Sequence, residues 1–152
     1  MSHYKSNLRD LQFNLFEAYN VDDYLGVAPI EDNDHDSAMD MLREVDRLAA
    51  EEFGASFVEA DRTRLKLVGG NVELPPGVKK SLAALHDGGW QLLGVPESLG
   101  GFGAPEMLRW SGCELFAGAN AAVFLYAIGG QLARVVEGFG TPEQVELFAR
   151  PM

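Results

Sequence analysis

The sequence predicts a mainly α-helical fold, a bundle of about six helices carrying one small β-hairpin. Three observations predict it. Apolar residues recur at three- and four-residue spacing through most of the chain. Helix start signals and glycine stop signals bracket those stretches. Period-two alternation is confined to one short passage around a pair of glycines.

The first helix is expected from Asn7 to Tyr19, with Leu8, Leu11, Leu15, Phe16 and Tyr19 on one face and Phe13 off it. Val21 to Asp36 reads as an acidic loop punctuated by Gly26, Pro29 and Asn33. Its acids, Asp22, Asp23, Glu31, Asp32, Asp34 and Asp36, lack the glycine and bidentate glutamate of a calcium loop, so solvated carboxylates are expected. Ser37 and Asp40 resemble a capping box for a second helix. Its face comprises Met41, Val45, Leu48 and Ala49, with Phe53 and Phe57 continuing inward.

Leu65 to Leu74 forms a hairpin in this reading, with Leu65, Leu67, Val72 and Leu74 alternating around Gly69-Gly70-Asn71. Pro75-Pro76 opens a third helix, Gly77 to His86, and Gly88-Gly89 stops it. A fourth helix starts at Pro105 and runs to about Ala117, with a break at Gly118 to Asn120. The fifth, Ala121 to Glu137, is uncharged until Arg134 and is expected to be surrounded by protein on most sides. Thr141-Pro142-Glu143-Gln144 is a capping box for a sixth helix, with Val145 and Phe148 inward.

Composition narrows the function. A net charge of −11, from 23 acids against 12 Lys and Arg, repels a phosphate backbone and argues against nucleic-acid binding. Cys113 is the single cysteine, which excludes an intrachain disulfide and a multi-thiolate zinc site; a buried apolar role is expected. His3, His35 and His86 do not stand at metal-ligand spacing. His86-Asp87 suits a helix end. The first ten residues lack an apolar signal core, and Leu115 to Ala133 is too rich in turn residues for a membrane span, so a cytoplasmic chain is expected.

Three passages resemble the acyl-CoA dehydrogenase family. The first is Gly89-Trp90-Gln91-Leu92-Leu93-Gly94-Val95-Pro96-Glu97-Ser98-Leu99-Gly100-Gly101-Phe102-Gly103. The second is the helix Met107 to Ala117, followed by Gly118-Ala119-Asn120 and the apolar helix bearing Tyr126. The third is Gly138-Phe139-Gly140-Thr141-Pro142-Glu143-Gln144. The opening ten residues are similar to the start of large bacterial fatty-acyl-CoA dehydrogenases that carry an extra N-terminal segment.

The resemblance covers essentially the whole chain. It implies the N-terminal helical domain of an FAD-dependent enzyme that removes an α-proton and a β-hydride from an acyl-CoA. Residues 1–36 would be an N-terminal helix and acidic extension, and residues 37–152 the helical domain. The family's flavin-binding β-domain and its C-terminal domain, with the glutamate base, map onto no residue here. The expectations are therefore a fragment, inactive and without FAD on its own, that meets the remaining domains or another chain in a homo-oligomeric enzyme. A stand-alone interaction module derived from that domain is the other reading.

Within the chain, the resemblance points to Leu108, Ser111, Gly112, Leu115, Tyr126, Gly129 and Gly130 as walls of an acyl pocket. Helix packing is the competing role for each of them. Two adjacent glycines inside a helix cost about 1 kcal/mol each against alanine, which calls for a close approach of ligand or helix. Gly100-Gly101-Phe102-Gly103 precedes a helix but lacks a P-loop lysine, and reads as a structural turn. Glu97 and Glu114 are not promoted to catalytic bases.

Overall fold

A computed structural model describes residues 3–27 and 33–151. It is mainly helical, with six helical rods and one two-stranded hairpin. Helix α1 (Leu8–Gln12) runs into a π-helical turn, Phe13–Ala18. Leu11, Leu15 and Phe16 are buried as their spacing requires. Tyr19 departs from the expected face and is exposed, because the helix has ended and Asn20 turns the chain in a left-handed conformation.

The acidic stretch is less loop-like than its composition suggests. A 3₁₀ turn, Val21–Tyr24, seats Val21 and Leu25 in the core. Pro29, Glu31 and Asp32 lie outside the described residues. The second helix begins earlier than Ser37. Asp34 is the N-cap of α2 (His35–Leu48), and its carboxylate accepts a hydrogen bond from the Ser37 amide at 2.8 Å and from the Ser37 hydroxyl. Those donors hold the Asp34 carboxyl below its ordinary range. Ser37 thus serves as the donor of the cap rather than as the cap itself.

Helix α2 passes through a π-helical turn, Ala49–Phe53, into α3 (Gly54–Arg62) without stopping at Gly54. Val45, Leu48, Ala49 and Phe53 are buried as expected, and Ala38, Met39 and Leu42 join them. The rod has two buried sides because it sits between two clusters. One contains Leu15, Phe16, Met39, Leu42 and Leu108. The other gathers Leu11, Val45, Phe53, Leu85, Leu115 and Phe116.

Strands β1 (Lys66–Val68) and β2 (Asn71–Glu73) pair antiparallel, with Val68 opposite Asn71. The turn is therefore Gly69-Gly70 alone, both at positive φ, which is the conformation a two-residue hairpin turn demands. Helix α4 (Pro76–Asp87) follows. The Glu59 carboxylate accepts from the Gly77 amide at 2.7 Å and ties the start of α4 to α3.

Helix α5 (Glu106–Ala127) carries a kink at Asn120, while Gly118 and Ala119 remain helical. The expected break is therefore one residue, not three. The expected fifth helix is instead divided after Ala127, and α6 (Gly129–Phe139) leaves at a bend of 50°. The Thr141 capping box forms with both of its hydrogen bonds at the start of α7 (Pro142–Gln144), which continues as the turn Val145–Ala149. Ala149 is the residue that turns inward there, with Val145 half-buried; Phe148 is exposed, contrary to its expected place. A third cluster, Val95, Leu99, Ala133 and Ala149, fastens α6 to the loop before α5.

Candidate functional site

The second half of α5 and the outer side of α6 form the surface most in need of a function. Leu125 and Tyr126 end α5, and Leu132, Val135 and Phe139 follow at helical spacing on α6; all five are exposed, Phe139 to 91%. Ala122, Leu125 and Tyr126 line an open concavity of ≈ 310 Å³. This corrects the expectation that the uncharged helix is enclosed. Its own chain covers only one side. No single described helix is long and apolar enough to cross a membrane, although bent α5 and α6 reach that length and apolarity together.

The residues expected to line an acyl pocket fall into two groups. Leu108 and Leu115 are buried in the two larger clusters. Ser111 is buried and donates to the Met107 carbonyl at 2.9 Å. Gly112 lies under Leu93, whose Cδ2 would stand 3.0 Å from an added Cβ. Gly130 is tighter: an added Cβ would meet the Gln91 carbonyl oxygen at 2.5 Å. These five fill space between elements of the chain. Tyr126 and Gly129 differ, since Tyr126 borders the open concavity and nothing lies within 4 Å of a Cβ built on Gly129. Sequence reasoning missed Ala122, Leu125, Leu132, Val135 and Phe139. Absence of charge was the available signal, but it does not distinguish burial within the chain from a face left for something else.

A second concavity, polar and ≈ 410 Å³, opens between the glycine-rich loop and α6. Glu97, Glu106 and Arg134 border it. Glu106 bridges two arginines, Arg109 beneath it and Arg134 across the groove. Arg109 is buried, its guanidinium 4.1 Å from the Trp110 ring centre. Its aliphatic stem lies over Gly94, where an added Cβ would come within 1.8 Å of Cδ.

The loop itself is a turn, as its sequence suggested. The amides of Gly101, Phe102, Gly103 and Ala104 donate to the carbonyls of Pro96, Leu92, Val95 and Leu93. None of those four N–H groups is left to cradle a phosphate. Gly101 is required there, because a Cβ would stand 2.1 Å from the Val95 carbonyl oxygen.

Cys113 is buried, and burial pushes its thiol pKa up, against a smaller opposing pull from Arg109. Gln131 Nε2 lies 3.2 Å from Sγ. Such a thiol is a poor nucleophile. Among the described residues no group of His, Cys, Asp and Glu could hold a metal ion.

No family-wide sequence profile matches the chain. A curated protein does: the chain is 44% identical over 146 residues to the broad-specificity linear acyl-CoA dehydrogenase FadE5 of Mycobacterium tuberculosis. Over that stretch the chain is similar to part of an acyl-CoA dehydrogenase. The aligned stretch is 95% of this chain but 24% of that enzyme, so the chain spans about a quarter of the length of the relative it matches.

Proposed function

We propose that this chain forms a wall of the acyl-binding pocket of an FAD-dependent acyl-CoA dehydrogenase, with the apolar strip of α5 and α6 as its working face. One observation carries this reading: a relative of an acyl-CoA dehydrogenase exposes an apolar concavity at Ala122, Leu125 and Tyr126. A hydrocarbon chain needs apolar walls without hydrogen-bonding demands, and each methylene it buries contributes about 0.8 kcal/mol. The acidic balance of the chain, −11, keeps the coenzyme's phosphates away from this wall.

Neither the glycine loop nor the polar groove fits the pyrophosphate of FAD. That group would need free amides or unpaired cations. The glycine-loop amides are committed to carbonyls, and the polar groove offers two carboxylates and an arginine already paired with one of them. No step through the flavin is therefore assigned to this chain. Flavin and catalytic base are assigned to chain outside these residues, in the same polypeptide or in another.

The test uses the full-length polypeptide with Gly129→Leu, a substitution into open space. Affinity for long acyl-CoAs is expected to fall while short ones bind as before, with thermal stability unchanged. An equal loss for all chain lengths would sink the pocket reading. Residues 1–152 expressed alone are expected to be colourless and unable to reduce a dye with acyl-CoA; flavin absorbance in that preparation would refute the assignment of FAD elsewhere. The strip would equally suit a module that pairs with a separate dehydrogenase chain. Co-purification with such a chain, in place of a continuous reading frame, would favour that form.

A further inference from the structure

The pocket reading leaves unused a cluster of buried polar groups beneath the kink in α5. Asn120 is fully buried and is the single residue within α5 whose backbone leaves the helical region, at φ −162 and ψ 94. Its side chain does two things at once. Oδ1 accepts from the Val123 amide at 3.3 Å, which caps the helical half that restarts after the kink. Nδ2 donates to the Phe53 carbonyl at 3.2 Å and to Ser56 Oγ at 3.0 Å, on the rod formed by α2 and α3.

That rod is irregular at the same place. The π-helical turn Ala49–Phe53 ends there, and Phe53 O accepts from both Ser56 Oγ and Asn120. Ser81 of α4 completes the knot, its Oγ 2.8 Å from Ser56 Oγ and 2.9 Å from the Glu52 carbonyl. Three elements are thus joined through side chains that no solvent reaches.

We propose that Asn120 is a positioning residue that aims the turn carrying Ala122, Leu125 and Tyr126, and so sets how far the acyl concavity reaches. This rests on the acyl-pocket reading for its consequence but not for its geometry. An apolar residue at this position would remove the cap and strand Ser56 and Phe53 O of one partner each. The restarted half would then be free to follow the axis of the first half, carrying Leu125 and Tyr126 with it. Because the knot reaches α3 and α4, the direction of this half is fixed by the packed part of the molecule and not by the exposed strip.

The experiment compares full-length wild type, Asn120→Ala and Asn120→Ser, using amide hydrogen exchange and calorimetric binding of butanoyl-CoA and palmitoyl-CoA. In Asn120→Ala, exchange of amides 121–127 is expected to rise by about tenfold or more while α2, α3 and α4 stay near wild type. Palmitoyl-CoA affinity is expected to fall by about tenfold, the worth of about two buried methylenes, with butanoyl-CoA within about twofold. Asn120→Ser retains a capping hydroxyl but loses the donors to Phe53 and Ser56, so protection of 121–127 should largely recover while palmitoyl-CoA affinity stays reduced. A uniform rise of exchange across α2 to α5, or an equal loss for the two acyl-CoAs, would overturn the proposal. If wild type binds neither acyl-CoA, the pocket reading has failed and exchange alone decides: a rise confined to 121–127 supports the positioning role, and a uniform one overturns it. Should Asn120→Ala not fold, Asn120→Ser carries the same decision, with protection of 121–127 near wild type supporting the proposal and a uniform loss overturning it.

Discussion

Phe53 and Phe139 occupy opposite extremes of one small molecule. Phe53 is fully buried where the α2–α3 rod crosses α5, its ring 4.9 Å from that of Phe116. Phe139 closes α6 with 91% of its surface exposed. The difference follows from what each region has to pack against. Around Phe53, three helical elements supply apolar sides at matching spacing, and the polar knot of Ser56, Ser81 and Asn120 satisfies the backbone where regular helix is interrupted. On α6 only the side bearing Gly130 and Ala133 meets the rest of the chain. An apolar strip along α6 is thus left over on the side that its own chain does not use.

If that contrast is right, the largest effect belongs to Phe53→Ala. Removing a fully buried aromatic should cost about 3–5 kcal/mol, read from chemical denaturation of the chain. A cost below about 1 kcal/mol would mean that the crossing is not packed as described. The adjacent glycines of α6 sharpen the comparison within one turn. Gly130→Ala forces a methyl against the Gln91 carbonyl and should cost about 1–3 kcal/mol. Gly129→Ala enters open space at the first residue of a helix and should be neutral or stabilising by up to about 1 kcal/mol. Equal effects at the two positions would contradict the placement of α6.

Those glycines also mark how far the sequence could be read. Local signals were legible: the Thr141 capping box, the Gly69-Gly70 turn and the glycine turn before α5 are all formed as their chemistry demands. Signals that depend on a distant partner were not. Ser37 looked like a cap because its hydroxyl suits the role, but Asp34 sits three residues earlier with a carboxylate that accepts from it. Gly118 looked like a breaker, yet it stays helical under Tyr4, whose ring edge would stand 3.1 Å from an added Cβ. Asn120 breaks the helix instead, because partners from residues 53 and 56 satisfy its side chain. Nor did the spacing of Gly129 and Gly130 tell which faced the chain, since the bend after Ala127 sets that.

Two smaller effects probe the ends of the packed region. Thr141→Ala removes one half of the capping box and should cost about 1 kcal/mol, with the loss of protection confined to the last turns. Tyr4 covers the outer side of α5, where burial first, then Asp46 and Glu114, push its hydroxyl pKa from 10.0 up to about 12. A raised pKa means that the folded state keeps a proton which the unfolded state has released. The contribution is therefore constant below pH 10.0 and is lost as pH rises from there through about 12. Tyr4→Phe should flatten that part of the stability curve. An unchanged alkaline slope in Tyr4→Phe would place the titration on another group.

The smallest expected change in stability comes from the other extreme, Phe139→Ser. A ring with 91% of its surface in solvent contributes little to the fold of its own chain, so the substitution should stay within about 0.5 kcal/mol. Its effect should appear instead in association. Leu125, Leu132, Val135 and Phe139 together present apolar area that water covers at a cost, and two copies can relieve it by meeting through this strip. Residues 1–152 expressed alone should therefore self-associate in sedimentation velocity. Phe139→Ser combined with Leu132→Ser should shift the population toward monomer, while Phe53→Ala should not do so at concentrations where it remains folded. Two results would break the comparison. A loss of more than about 2 kcal/mol on Phe139→Ser would show that the ring is packed in solution. A wild-type chain that remains monomeric at high concentration would show that the strip is compatible with water, and that the exposed side of α6 carries no demand for a covering surface.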